Sequence, residues 1–287
     1  MAIELNTEIS NNVDEIFTTE SKKSILTNND FSWTGAHTVK INKVNTVQMN
    51  DYDRSGEKVG TKDESESLIW SRYGAIGKVE NTHEEMTLKK DRSFTFVIDK
   101  LDKDETEAAL AGASALARQQ REVIIPEVDK YTYGVMADNA GTKIVLDEAL
   151  SDQTIYQEII KGTEVLDDND VPDTGRVLTV VPEVYRLLKT CPDLTLDCDI
   201  TAEQKAKGVI AMVDGMDVIK MPSKRMPEKA RFMITHPVAT VAPTKLEEYK
   251  IHQDPPGISG ELVEGRIVYD AFVLDNKKMA IYYVANK

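Results

Sequence analysis

Asp104 to Gly141 reads DETEAALAGASALARQQREVIIPEVDKYTYGVMADNAG, and the fold is decided by how this stretch is read. Its apolar residues Ala109, Ala113, Leu116, Ile124, Val128, Tyr131 and Val135 recur at steps of three, four or eight, which traces one stripe of a 3.6-residue helix. Asp104 is placed to cap the first turn, with Glu107 reaching back as in a capping box. Asn139 and Gly141 supply the left-handed residue on which helices end. One continuous element of about 38 residues, rising roughly 1.5 Å each, makes a rod of ~55 Å. That is longer than a compact domain of this size is wide. Pro126 interrupts it, because it lacks an N–H and crowds the carbonyl of Glu122. The expectation is a kink there, or two collinear helices with the second opening at Pro126.

A helix crossing one face of a large two-domain enzyme has the same periodicity, so the flanking sequence has to choose. Immediately before the rod, Phe94, Phe96 and Ile98 alternate with Ser93, Thr95 and Val97 as a strand, ending in the acidic turn Asp99, Asp102 and Asp104. Capping and solvation account for these carboxylates, since no D-x-D-x-D-G spacing supports a metal. Further upstream, Thr38 to Asn42 alternates as a strand that continues through Val44, Val47 and Met49, and Leu68, Ile69, Trp70 and Tyr73 form a second. Between them Asp51 to Ser67 is polar, with Gly56 and Gly60. The two strands make a long hairpin with too little core to stand alone. Residues 1–30 are an acidic arm, with Ile9, Val13, Ile16 and Phe17 at helical spacing.

After Gly141 the texture is that of an α/β lobe. A helix is expected over Asp152 to Leu166, a buried strand over Arg176 to Val181, a helix opening at Pro182, and strands at Val218-Ile219 and Ala230 to Thr235. From His236 the chain turns strand-rich, with Val238 to Val241, a polar stretch, the turn DPPG at Asp254 to Gly257, and a final pair of strands, Arg266 to Leu274 and Met279 to Val284. These late strands are expected to return beside the Phe94 strand and against the long helix, which makes the lobe an insertion.

At 287 residues the chain can bury a sizeable core. No apolar run approaches a membrane span and MAIELNTEIS is no signal peptide, so the chain reads as soluble and kept in a cytoplasm-like compartment. The charge of -14, from 49 acidic and 35 basic residues, argues against specific nucleic-acid binding, as does the lack of any Lys/Arg cluster in the sequence. Cys191 and Cys198 have no partners suited to zinc and read as free thiols. The turn DDNDVPDTG fails the calcium-loop pattern at Val171 and Pro172. Nucleotide, hydrolase and zincin motifs are absent, and His37, His83, His236 and His252 are dispersed. The expectation is therefore no enzyme, with no catalytic, cofactor-binding or metal residues to assign.

Four passages carry a family likeness: Val39-Lys40-Ile41; Asp91-Arg92-Ser93-Phe94 running to Asp99, Asp102, Asp104 and Glu105; Ile125-Pro126-Glu127-Val128-Asp129-Lys130-Tyr131; and Gly175-Arg176-Val177 through Pro182-Glu183-Val184-Tyr185. The closing Tyr269 to Asp275 agrees with them. In these the chain resembles the major capsid proteins of tailed bacteriophages, particularly of phages and prophages of Gram-positive hosts. The resemblance implies an α+β, Hong Kong 97-like capsid fold. It also implies an N-terminal arm over 1–30, an extended β-hairpin loop over 31–92, a peripheral domain with the spine helix over 93–141 and 236–287, and an axial α/β domain over 142–235. The implied partners are further copies in hexamers and pentamers, a separate scaffolding protein, and portal and head-completion proteins. The shell would enclose double-stranded DNA without sequence-specific binding, with no membrane, after assembly in the host cytoplasm. An encapsulin-type compartment is the near alternative. The distant one is an α/β enzyme with a β-rich accessory region, for which Asp167, Asp168 and Asp170 are the place to look.

Overall fold

The computed structural model describes residues 20–28, 38–64, 66–105, 112–192 and 209–287. The first half of the chain forms α1 (Lys23–Leu26), β1 (Thr38–Val44), β2 (Ile69–Ser71), β3 (Gly74–Ala75), β4 (Asn81–Thr87), β5 (Lys90–Asp99), α2 (Lys100–Glu105), α3 (Gly112–Gln119) and α4 (Ile125–Asp138). Then come β6 (Thr142–Leu146), α5 (Ile155–Asp168), β7 (Val177–Val180), α6 (Pro182–Thr190), β8 (Val209–Val213), β9 (Met216–Lys220) and β10 (Ala230–Thr235). The chain closes with β11 (Thr240–Val241), β12 (Thr244–Gln253), β13 (Gly260–Tyr269), β14 (Phe272–Val273) and β15 (Ile281–Asn286). Two units separate: Gly35–Thr87, and the remainder.

In the larger unit a π-helical segment over Gln120–Ile124 joins α3 to α4, so the backbone stays helical from Gly112 to Asp138. Pro126 lies in the first turn of α4, where its missing N–H costs little. Just ahead of it, Ile125 N–H bonds to the carbonyl of Gln120, five residues back. The hydrogen-bond ladder widens where proline cannot complete it. An α-helical segment thus opens one residue before Pro126, next to the position where the sequence marks the start of a second helix.

The helix ends correct the sequence reading. Asp104 lies within α2, and the cap of α2 is Asp99, whose carboxylate accepts from Leu101 N–H at 2.8 Å. Glu107 and Ala109 fall outside the described residues. At the start of α3 the carboxylate of Glu261 accepts from Gly112 N–H at 2.8 Å and from the Lys103 ammonium at 2.5 Å. At the far end Asn139 has φ -110°, which is not left-handed, and its amide donates to the carbonyl of Val135 at 2.9 Å. Gly141 is needed for space, since a Cβ there would lie 2.6 Å from the carbonyl oxygen of Lys278.

The buried stripe of α4 is also shifted. Asp129, Thr132, Tyr133, Met136 and Ala137 are buried, while Ile124, Val128, Tyr131 and Val135 are half-buried. The cause is that the helix serves two sheets. Tyr133 and Met136 join the main core with Phe232, Ile234 and Val284. Ile124 and Val128 face Phe94 and Ile267 across a cavity of about 100 Å³.

The main core belongs to a six-stranded mixed sheet, ordered β6-β15-β10-β7-β9-β8. All four residues of β7 are buried, as expected for a strand covered on both faces. Helix α5 buries Ile155, Ile159 and Leu166, the face legible in the sequence. The second sheet has three antiparallel strands, ordered β12-β13-β5. There Phe94 and Tyr249 flank Gly265, where a Cβ would sit 2.3 Å from the Phe94 ring. The expected closing hairpin does not form. β13 does return to β5, whereas β15 pairs with β10 and, in parallel, with β6. A short helical turn over Asp275–Ala280 carries the chain to the other sheet. β12 lies in what reads as a polar stretch, because as an edge strand it has only two half-buried apolar positions, Leu246 and Tyr249.

Two buried carboxylates tie these parts together. Asp129 on α4 accepts from Arg225 at 2.8 Å and from the Ser21 hydroxyl at 2.6 Å, and Leu26 is buried in the same core. Asp270 accepts from Tyr131 at 2.7 Å, from its neighbour Ala271 N–H at 2.8 Å and from Lys89 N–H at 2.8 Å. The Tyr131 hydroxyl is pushed upward in pKa, first by burial and then by this bond.

Candidate assembly surface

The smaller unit is built on a ladder different from the one the sequence suggests. β1 pairs with β4, Thr38 opposite Thr87 and Val44 opposite Asn81, while β2 folds onto β3 and onto the segment 60–62. Asn81–Thr87 escapes a periodicity search because its one buried apolar residue is Met86. Polar cross-strand pairs hold the ladder instead: Thr38 with Thr87 at 2.9 Å, Lys40 with Glu85 at 2.6 Å and Lys43 with Glu84 at 2.8 Å.

The polar insert is ordered by its own carboxylates. Asp53 accepts from Lys58 N–H at 2.7 Å, from the Ser55 hydroxyl at 2.8 Å and from Gly56 N–H at 2.9 Å. These bonds, led by Lys58, hold its carboxyl below the usual range. Gly56 takes φ +79°, the left-handed conformation this turn needs. Asp63 accepts from Ser67 N–H at 2.8 Å.

What the unit lacks is a core. Among its described residues only Ile69 and Met86 are buried. Met49 is 99% exposed, Tyr73 and Ile76 77%, and Trp70 67%. Tyr52 meets Tyr73 edge to face at 5.1 Å, with both rings still exposed. Large apolar side chains exposed this densely mark an interaction surface rather than ordinary scatter.

Of the acidic turn on which an enzyme reading would rest, Asp167 is engaged by a buried cation. Arg176 is buried, and its guanidinium meets Asp167 at 2.7 Å and Asp173 at 3.0 Å, together with the carbonyls of Val171 and Pro172. Two carboxylates of the acidic turn therefore balance a buried cation. His236 bridges Val238 N–H and the carbonyl of Thr174, and His252 faces Glu264 at 3.4 Å on the sheet surface. His83 is exposed on β4, and Cys191 is a buried free thiol. His37 and Cys198 lie outside the described residues. Among the described residues no three His, Cys, Asp or Glu side chains converge as metal ligands, and no helix is long and apolar enough to cross a membrane.

No family model and no curated protein matches the sequence. Solved structures match its shape. A structure of Mycobacterium phage Che8 has a TM-score of 0.72 at 17% identity, over 99% of this chain and 96% of that one. The capsid structure of cyanophage P-SCSP1u has a TM-score of 0.72 at 11% identity, over 99% and 93%. The mature capsid of bacteriophage PhiM1 gives 0.66 at 12% identity, over 99% and 92%. At such identities the likeness is one of fold, and it extends along nearly the whole chain. The α+β fold of this protein is the one found in bacteriophage capsid structures.

Proposed function

We propose that the protein is the major capsid protein of a tailed bacteriophage, a structural subunit that assembles into the icosahedral head around double-stranded DNA. The observation that carries this reading is the agreement of fold with phage capsid structures over 99% of the chain. The exposed apolar side chains of residues 38–87 support it, because they have no core of their own and a neighbouring copy would cover them.

In this reading residues 1–30 are the arm, 31–92 the extended loop, 93–141 and 236–287 the peripheral domain and 142–235 the axial domain. The final strand, β15, contributes to the axial sheet. Copies meet as hexamers and pentamers, with separate scaffolding, portal and head-completion proteins, in the host cytoplasm before they become part of the virion. Negative-stain microscopy of the overexpressed full chain tests the proposal. Rings or closed shells are expected. A monomer by sedimentation at high concentration, with scaffolding protein present, overturns it.

A further inference from the structure

Lys189 and Lys220 meet at the ring of Tyr185, and Lys22, distant in sequence, reaches the backbone of Lys220. The ammonium groups of Lys189 and Lys220 lie 5.0 Å and 5.6 Å from the ring centroid, so they are less than about 11 Å from each other. Lys22 Nζ donates to the backbone carbonyl of Lys220 at 3.4 Å. Three elements contribute, namely the segment leading into α1, the helix α6 and the end of β9. The electron-rich ring offsets part of the repulsion between cations held so close. Burial first, and then the charge of Lys220, push the Lys22 ammonium downward in pKa, in a chain of net charge -14. Among the described residues Lys189 and Lys220 have no carboxylate partner in a salt bridge.

The surroundings say what kind of partner fits. Among the described residues from 161 to 250 no large apolar side chain is exposed. Lysine is depleted and arginine favoured at the centre of protein interfaces. Lysines act as point charges suited to phosphate oxygens without a fixed geometry.

We propose that this patch contacts the phosphodiester backbone of the nucleic acid enclosed by the shell, an inference that rests on the capsid reading above. Two such contacts, from Lys189 and Lys220, give a slope of log affinity against log salt of only about -1.8. Each copy then binds weakly, and the contacts of many copies add along one packaged molecule. The remaining acidity keeps the rest of the surface off the genome.

The test is fluorescence anisotropy of a short labelled DNA duplex with the full-length, unassembled chain across a salt series. Lys189→Gln with Lys220→Gln should reduce the slope by about 1.8 and weaken binding about tenfold at low salt. Lys189→Arg with Lys220→Arg should keep the parental slope. Lys245→Gln with Lys278→Gln changes the net charge equally and should also leave it unchanged. Equal slopes for the parent and the Lys189/Lys220 glutamine variant overturn the proposal. So does unchanged DNA binding with lost shell assembly, which assigns the patch to contact with a second copy. Because the titration needs no shell, absence of shells in the parent overturns the capsid reading, while the measured slope independently decides whether the patch binds phosphate.

Discussion

Asp129→Asn removes a charge that balances a buried guanidinium. Asp129 is fully buried and Arg225 is 4% exposed. The carboxylate accepts from Arg225 at 2.8 Å and from Ser21 at 2.6 Å. A guanidinium cannot shed its proton to escape burial, so the variant should lose about 3–5 kcal/mol of stability. Arg225→Met should cost less. Burial already pushes the Asp129 carboxyl upward, and without its partner the group takes up a proton. The sign for pH follows. With a folded pKa above the unfolded one, the lone carboxyl's contribution is full below the unfolded value and is lost as pH rises through the folded value. Relative to the parent, Arg225→Met is therefore mildest in acid and worsens toward neutrality, a course Asp129→Asn does not follow. Asp129→Leu with Arg225→Met exchanges both charges for apolar groups and should recover most of the loss. Urea unfolding of the unassembled chain, followed by circular dichroism as a double-mutant cycle, should give a coupling above about 2 kcal/mol. Single variants within about 0.5 kcal/mol of the parent would refute the reasoning, because the pair would then be hydrated.

Replacing Arg54 to Glu66 by a Gly-containing turn removes Val59 as its only large apolar side chain. It should leave the circular dichroism spectrum almost unchanged while microscopy shows no normal shells, and normal shells would defeat this placement of the loop. Asp53 has its carboxyl held below the ordinary 3.8, so its contribution is present above that value and lost as pH falls through the folded pKa. Hydrogen-exchange protection of Gly56 and Lys58 should fall in that acid range, and in Asp53→Asn already at neutral pH; unaltered protection in the variant counts against the turn. Gly162→Ala should destabilise by about 1–3 kcal/mol despite the better helix former, because its Cβ would lie 2.7 Å from Ile234 and 2.9 Å from Tyr282. A raised melting temperature would contradict that packing. Met136→Asp should unfold the chain, whereas Val128→Asp, beside a cavity of about 100 Å³, should cost several kcal/mol yet less. Equal solubility and heat resistance of Val128→Asp and the parent would refute the role of that face.

Sequence periodicity was most informative where one element meets one environment. Ile155, Ile159 and Leu166 read directly as the buried face of α5, and Arg176 to Val181 as a covered strand. It was misleading on α4, where burial against two sheets divides the apolar residues between two faces. It failed on β4 and β12, whose partners are reached through polar pairs and an exposed edge, so that neither carries an alternating apolar signal. The candidate assembly surface was partly legible. The shortage of core between residues 38 and 87 is a matter of composition, whereas the pairing of β1 with β4 is not.

By itself the sequence determined a long helix with Pro126 near its middle, strands on both sides of it, an acidic chain with little catalytic vocabulary, and a hairpin region short of apolar residues. These follow from local propensity, spacing and charge, which neighbouring residues settle among themselves. Only the tertiary structure decided that β15 leaves β13 for the six-stranded sheet, that Glu261 caps α3, that Asp129 balances Arg225, and that Lys189 and Lys220 gather at one tyrosine ring. Each brings together residues distant along the chain. Such contacts depend on how the chain closes its loops around a shared core, a choice made by the sum of burial across the molecule and carried by no single segment.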